Sequence, residues 1–208
     1  ILANANLKTI AIRFPKNPIV RSLLKSLEFP LAIPSANLSS GVSPINIYDV
    51  VEEFGNRIKF ILDGGTTKIG LESTVINLYG KIQILRPGSI NKNEIKKVLG
   101  KKVSILRKTK KISSPGLLKR HYSPVIPIKL NCKKPDYKAA FIVFGKRFKR
   151  GKHIFNLSHK GNLNEAGRKL YITLRKIKNL GYKKINVVRI PNSKIGIAIN
   201  DRLRKAAY

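Results

Sequence analysis

"ESTVINLYGKIQILRPGSINKNEIKKVLG", residues 72–100, decides the fold class because its periodicity switches from strand to helix within one short stretch. "ESTVINLY" and "KIQILRPG" are rich in β-branched and large apolar residues, and Gly80-Lys81 between them reads as a turn. Asn91 is followed three positions later by Glu94, the spacing of a capping box, and Gly100 is a helix stop. Two strands and a capped helix in succession make this region α/β.

Toward the N-terminus, "LKTIAIRF" (7–14) reads as a strand ending at Pro15. In "NPIVRSLLKSLE" (17–28) Asn17 is a natural N-cap and Pro18 fits the first helical position. Ile19, Val20, Leu23, Leu24 and Leu27 give that helix its apolar stripe. "PLAIP" (30–34) reads as a short buried strand and "FILDGG" (60–65) as another. The next helix is expected to open at Ser43-Pro44, bury Ile47, Val50, Val51 and Phe54, and stop at Gly55.

Downstream, residues 101–127 carry a basic run, three prolines and no sustained period, the composition of a linker. "AAFIVF" (139–144) then returns to strand. "NLNEAGRKLYITLRKIKNLG" (162–181) is a helix with Ala166, Leu170, Leu174 and Ile177 on one face. "KINVVRI" (184–190) is a strand and "KIGIAINDRLRKAA" (194–207) a final helix. This alternation predicts a small α/β domain with parallel pairing.

The totals set the outer bounds. A chain of 208 residues makes one large domain or two small ones, and 42% hydrophobic with 25% charged residues excludes a disordered tail. No apolar run approaches the ~18 residues of a membrane span. The single cysteine, Cys132, has no partner for an internal disulfide, and its use fits a cytosolic protein. His153 and His159 lack Cys or carboxylate neighbours at ligand spacing, so they read as surface residues and no protein metal cage is expected. The chain opens on Ile and contains no Met, which reads as a fragment lacking its N-terminus. The net charge is +33, with 24 of the 43 basic but only 3 of the 10 acidic side chains after residue 111. Such a field attracts nucleic acid. The accompanying excess of Lys, Ile and Asn also follows from an A/T-rich genome, and composition alone does not choose.

Several loops offer chemistry. In "LAIPSANLSSGVSPINIYDVV" (31–51), Ser35 and Asn37 follow a strand end, where open α/β sheets place ligand groups. Ser43 reads as an N-cap, an anion contact at a helix N-terminus, or both. Gly64-Gly65 beside Asp63 is a plain turn or a point of close backbone approach. Ser73 stands at a strand start. Arg13 and Arg86 each stand at a strand end before proline, as guanidinium forks for phosphate or carboxylate or as surface charges. "SPGLLKRHYSP" gathers Lys119, Arg120, His121 and Tyr122, a group able to close over a nucleotide or to form a solvated basic linker.

Taken in order, "AIRFP", "IPSANLSSGVSP", "ILDGG…GLESTV", "ILRPG" and "SPGLLKRHYSP" resemble the threonylcarbamoyl-AMP synthase family. The match is to its two-domain branch, and the stretch from residue 162 resembles the second domain. The resemblance implies the C-terminal part of a YrdC-type twisted mixed sheet with helices (1–107), a linker over the active site (108–127) and a small Rossmann-like α/β domain (128–208). It implies a nucleotidyltransferase using ATP, with Mg2+, plus L-threonine and bicarbonate. The product, threonylcarbamoyl-AMP, would feed tRNA modification through a separate transferase, in the cytoplasm. Carried over, Arg13, Ile33 and Ser73 would bind threonine, and Ser35, Ser43 and Arg86 would contact ATP. His121 or Tyr122 would close over the nucleotide, with Asn37, Lys119 and Arg120 as further candidates. No side-chain nucleophile is implied, because a carbamate attacking phosphorus needs positioning, charge neutralisation and exclusion of water.

The family also opens with a "PTETVYGL"-like segment that nothing in this chain matches, so an N-terminally shortened member of doubtful independent activity is expected. Two other readings compete. One is a basic module of the same fold that binds tRNA or double-stranded RNA. The other is a carbamoyl-adenylating enzyme acting on a different amine.

Overall fold

A computed structural model of the chain describes Asn4, residues 6–106 and residues 121–207. The first region contains α1 (Pro18–Lys25), α2 (Ile47–Phe54) with a 3-10 turn at Gly55–Arg57, β1 (Val75–Asn77), β2 (Gln83–Arg86), α3 (Lys92–Leu99) and β3 (Ser104–Ile105). The second contains β4 (Ile128–Lys129), β5 (Ala140–Val143), β6 (Ile154–Asn156), α4 (Leu163–Asn179), β7 (Ile185–Val187) and α5 (Gly196–Ala206).

Residues 72–100 fold as their pattern dictates. β1 and β2 pair antiparallel across the Gly80 turn. Asn91 accepts from the Glu94 amide at 3.2 Å while the Glu94 carboxylate accepts from the Asn91 amide at 2.7 Å, closing the capping box. Gly100 ends α3 in the left-handed conformation at φ 62°. The chain then returns to pair β3 parallel to β2, giving a mixed sheet of order β1-β2-β3. Its core is small: Ile84, Ile95 and Val103. β3 lies within the span read as linker; two residues give too little periodicity to mark a strand.

The second sheet is parallel throughout, in the order β4-β7-β5-β6. β5 is buried along its whole length, as a parallel strand covered on both faces must be. Ala166, Leu170, Leu174 and Ile177 of α4 are all buried against it, as their spacing predicts. Asn162 caps α4 by accepting from the Asn164 and Glu165 amides. β4 and β6 are additional to the expected strands and are again too short to show a period.

Three expected strands are absent from the ladders. Residues 7–14, 30–34 and 60–65 are extended or bent, but no neighbouring strand bonds to them among the described residues. A strand exists only where another backbone takes its N–H and C=O groups. "PLAIP" is also exposed rather than buried, with Leu31 and Ile33 open, as are Ile12 (85% exposed) and Phe14 (87%). The apolar pattern is real, but it faces no core. The same holds for α1: Asn17 caps it as predicted, accepting from Ile19 and Val20, yet Ile19 and Leu23 remain exposed. α2 begins at Ile47 rather than Ser43, because Asn46 is its cap and accepts from Asp49. None of its residues is fully buried, and Val51 is exposed. Among the described residues no helix is long and apolar enough to cross a membrane.

Candidate active site

The loop carrying Ser35, Asn37 and Ser43 is gripped from both sides. Val42 and Ile45 are buried in the hydrophobic core of the second region. Arg175 of α4 donates to the Val42 carbonyl at 2.7 Å and, through Nη1 and Nη2, to Glu53 Oε2 at 3.2 Å. Glu53 in turn accepts from the Leu38 amide at 2.9 Å. From the segment read as a linker, the Ser123 amide donates to the Ser40 carbonyl at 2.9 Å. Ser40 and Tyr122 flank that bond at φ 64° and 61°, left-handed conformations that cost a non-glycine residue about 1–2 kcal/mol. Both persist because the contacts around them over-determine the backbone.

Glu72 is the hub beneath this loop. Its carboxylate accepts from Ser43 Oγ (2.6 Å), from Tyr171 Oη (2.9 and 3.0 Å) and from Arg202 Nε (2.8 Å). Ser43 therefore serves Glu72 and not the helix terminus. Arg202, with a side chain 0% exposed, also donates to the carbonyls of Pro87 (2.8 Å) and Glu72 (3.2 Å) and to Asp201 (3.0 Å). Burial alone would raise the Glu72 carboxyl, but the Arg202 charge and the bonds from Ser43 and Arg202 outweigh it and hold Glu72 below the usual carboxylate range. Burial, reinforced by the Glu72 charge, pushes the Tyr171 hydroxyl well up, so it stays a donor. Burial opposes the Arg202 charge, yet Glu72 more than offsets this and raises its pKa.

Glu72 and Ser73 bring in the next elements. Arg86, at the end of β2, donates to the Ser73 carbonyl at 3.0 Å and to Ser73 Oγ at 3.4 Å. The turn after Arg86 lies so close to this strand that a Cβ on Gly88 would sit 2.7 Å from the Ser73 carbonyl carbon. Gly70, at φ 73°, likewise lets the chain lie on α4, where a Cβ would meet Arg168 Cα at 2.7 Å. Gly64-Gly65 is the plain turn: Asp63 accepts from Gly65 at 2.8 Å and Asn17 donates to the Gly64 carbonyl at 3.2 Å.

His121 and Tyr122 lie against this group. The His121 amide donates to the Lys205 carbonyl at 3.3 Å, and the His121 and Tyr122 rings meet edge-on at 4.0 Å. Tyr122 is fully buried, stacked at 6.0 Å on Tyr171 and capped at 5.2 Å by the Arg202 guanidinium. Burial lowers the His121 pKa against the pull of Glu72, with Lys205, Arg86 and Arg202 adding to the lowering, so the imidazole is neutral at pH 7. Burial and the Glu72 charge raise the Tyr122 hydroxyl. His121 Nδ1 and Tyr122 Oη are buried polar atoms with no protein partner among the described residues.

The structure thus brings Ser43, Ser73, Arg86, His121 and Tyr122 around Glu72. Arg13, Ile33 and Ser35 stand on exposed segments, and no hydrogen bond joins them to this group among the described residues. Asn37 donates within its own loop to the Leu38 and Gly41 carbonyls, and its buried Oδ1 has no partner among the described residues. Lys119 and Arg120 lie outside the described residues. His159 is exposed, while His153 is half-buried with Nδ1 2.9 Å from Tyr182 Oη. Glu72, Tyr171, Arg175 and Arg202 were missed as site residues. One signal for them existed: with 10 acidic against 43 basic side chains, an acid at the start of a predicted strand, as Glu72 is, calls for a specific partner.

Two family models match the chain. One described as telomere recombination covers residues 2–88, and one described as the C-terminal domain of threonylcarbamoyl-AMP synthase covers residues 90–208. The chain is 32% identical to the threonylcarbamoyl-AMP synthase of Bacillus subtilis across 98% of its own length and 64% of that protein. It is 33% identical to the Pyrococcus abyssi protein of that name, across 97% and 64% respectively. The crystal structure of the P. abyssi Sua5 protein complexed with L-threonine superposes with a TM-score of 0.84 at 31% identity, covering 98% of this chain and 65% of that one. A P. abyssi variant with an adjacent histidine and tyrosine replaced by alanine superposes with a TM-score of 0.82 at 30% identity, covering 97% and 63%. The chain therefore spans just under two thirds of the length of these relatives.

Proposed function

The chain belongs to the threonylcarbamoyl-AMP synthase family, and from that premise we propose that it serves the synthesis of threonylcarbamoyl-AMP and pyrophosphate from ATP, L-threonine and bicarbonate. The threonine amine condenses with bicarbonate, losing water, to give a carbamate. A carbamate oxygen then attacks the α-phosphorus of ATP, the new P–O bond forms, and the bond to pyrophosphate breaks. Both the carbamate and the mixed anhydride are destroyed by water, so the site must neutralise charge and stay dry.

One observation carries this reading: Arg86 and Ser73 are joined next to Glu72, whose partner Arg202 also packs on Tyr122. Arg86 keeps donors beyond those it spends on Ser73, and a guanidinium fork suits a phosphate. Ser73, Arg13 and Ile33 take threonine; Ser35 and Ser43 take the nucleotide. Ser43 gives its only proton to Glu72, so it meets the nucleotide as an acceptor, or after exchanging partners. His121 Nδ1 and Tyr122 Oη, without partners among the described residues, are polar groups suited to a ligand. The P. abyssi structure that holds L-threonine and the relative altered at an adjacent His-Tyr pair lend further support. Mg2+ enters on the phosphates of ATP. The reactive product requires a cytoplasmic transferase that passes the threonylcarbamoyl group to tRNA.

The test is product identity. Mass spectrometry of a reaction with labelled threonine and bicarbonate is expected to find both labels in one adenylate, formed at least about a hundredfold more slowly by Arg86→Ala. An adenylate containing neither label, or full activity in Arg86→Ala, overturns the reading. The +33 charge favours an additional, weaker contact with tRNA or double-stranded RNA, expected to fall steeply with salt.

A further inference from the structure

The second region carries a cleft that takes no part in the site above. β5 hands the chain to β6, its neighbour on one side, while β7, its neighbour on the other, hands it to α5. The loops leaving these two adjacent parallel strands diverge at their carboxyl ends, the position where open α/β sheets form ligand crevices. A cleft of about 580 Å³ lies there, lined by residues following β4, β5 and β7. That volume falls in the range that holds a nucleotide-sized ligand.

Its lining is chemically specific. Lys133, Arg147 and Arg189 bring three cations, one from each loop. The three carboxylates of residues 121–207 are engaged elsewhere: Asp136 with Lys184 (3.1 Å), Glu165 with Lys169 (2.6 Å), and Asp201 with Arg202 and Lys205. None of the cleft cations has an acidic partner among the described residues. Between them stand Phe144 and Phe148, both packed against the core. Phe148 is fixed edge-on at 5.1 Å to buried Phe141, and the Arg147 guanidinium lies 5.5 Å over its ring. Unpaired cations select an anion, and fixed rings beside them select a flat, apolar body attached to it.

We propose that this cleft binds a nucleoside phosphate, as a site distinct from that around Glu72 and Arg86 and independent of the reaction assigned there. The phosphate is held by Lys133, Arg147 and Arg189, and the base lies against Phe144 and Phe148.

Cys132, the only cysteine of the chain, lines the same cleft, so alkylation by neutral iodoacetamide reads this place alone. In the full chain, AMP is expected to slow Cys132 alkylation saturably. Arg147→Glu/Arg189→Glu is expected to weaken that protection about tenfold or more, with far-UV circular dichroism unchanged because both positions are exposed. Arg86→Ala, at the other site, is expected to leave the protection intact. Absence of protection at millimolar AMP, equal protection by inorganic phosphate or by adenosine, or an unaltered double variant would overturn the proposal. So would loss of protection in Arg86→Ala, which would place the nucleotide at the other site. An RNA oligonucleotide that protects at far lower concentration than AMP would overturn it in favour of an RNA strand.

Discussion

Replacing Arg202 by alanine removes donors to Glu72, to the carbonyls of Glu72 and Pro87, and to Asp201, all at a side chain with no exposed surface. What remains is a carboxylate, largely out of water, held among the described residues by Ser43 and Tyr171. Breaking a buried ion pair in this way costs about 3–5 kcal/mol, most of it the penalty of the charge left behind. Glu72→Gln keeps the shape but withdraws the charge and is expected to cost about 1.5–3 kcal/mol. In the double variant no charge is stranded, so the two costs should fail to add by up to about 3 kcal/mol. Two separate cores and the absence of tryptophan make a single fluorescence transition a poor reporter. Hydrogen exchange at the amides of residues 72–74, 86–88 and 121–123 reads opening of this junction directly. Protection there should fall in Arg202→Ala while the amides of β5 keep theirs. A cost below about 1 kcal/mol, or additive single and double variants, would refute the claim that Glu72 and Arg202 hold the junction.

Other consequences follow from the same contacts. Arg86→Ala should lower turnover by about 10²–10³, the cost of losing one preorganised charge-stabilising donor, with little loss of stability because the hydrogen bonds of Arg86 among the described residues run to Ser73. Tyr122→Phe should be neutral or slightly stabilising, since the hydroxyl has no hydrogen-bond partner among the described residues, whereas Tyr122→Ala should cost about 3–5 kcal/mol by thermal denaturation. Ile84→Ala should cost about 2–5 kcal/mol and open the small sheet first, seen as lost amide protection in β2 and α3. The pH dependence has a defined sign. His121 and Glu72 both have folded pKa values below their ordinary 6.5 and 4.5, so the unfolded chain binds more protons as pH falls. Stability from His121 is present above about 6.5 and lost below it; that from Glu72 is present above about 4.5 and lost below. Tm against pH should flatten in the first window for His121→Gln and in the second for Glu72→Gln.

The parts of the fold legible in the sequence are those whose determinants are local. The capping box at Asn91 and Glu94, the Asn17 cap, the Gly100 stop and the α4 stripe depend on neighbours within a turn or two, and each stands where its spacing puts it. The strands read at 7–14, 30–34 and 60–65 failed for a reason no local pattern contains: pairing is decided by another part of the chain. Ser43 shows the same limit at the site. A serine before proline and a helix looks like a cap, but a carboxylate 29 residues away accepts its hydrogen bond. Arg202 sits 130 residues from Glu72 among many other cations, and only the folded chain distinguishes it from them. Ser73 and Arg86 were legible singly, as groups at strand ends; the antiparallel pairing of β1 and β2 is what makes them partners.

The proposed function makes this chain part of an adenylating site specific for threonine carbamate. Its most direct test is pyrophosphate release from ATP by the polypeptide as its gene encodes it, with threonine and bicarbonate omitted in turn. Release is expected only when both are present. Equal release without threonine, or with serine in its place, would contradict it.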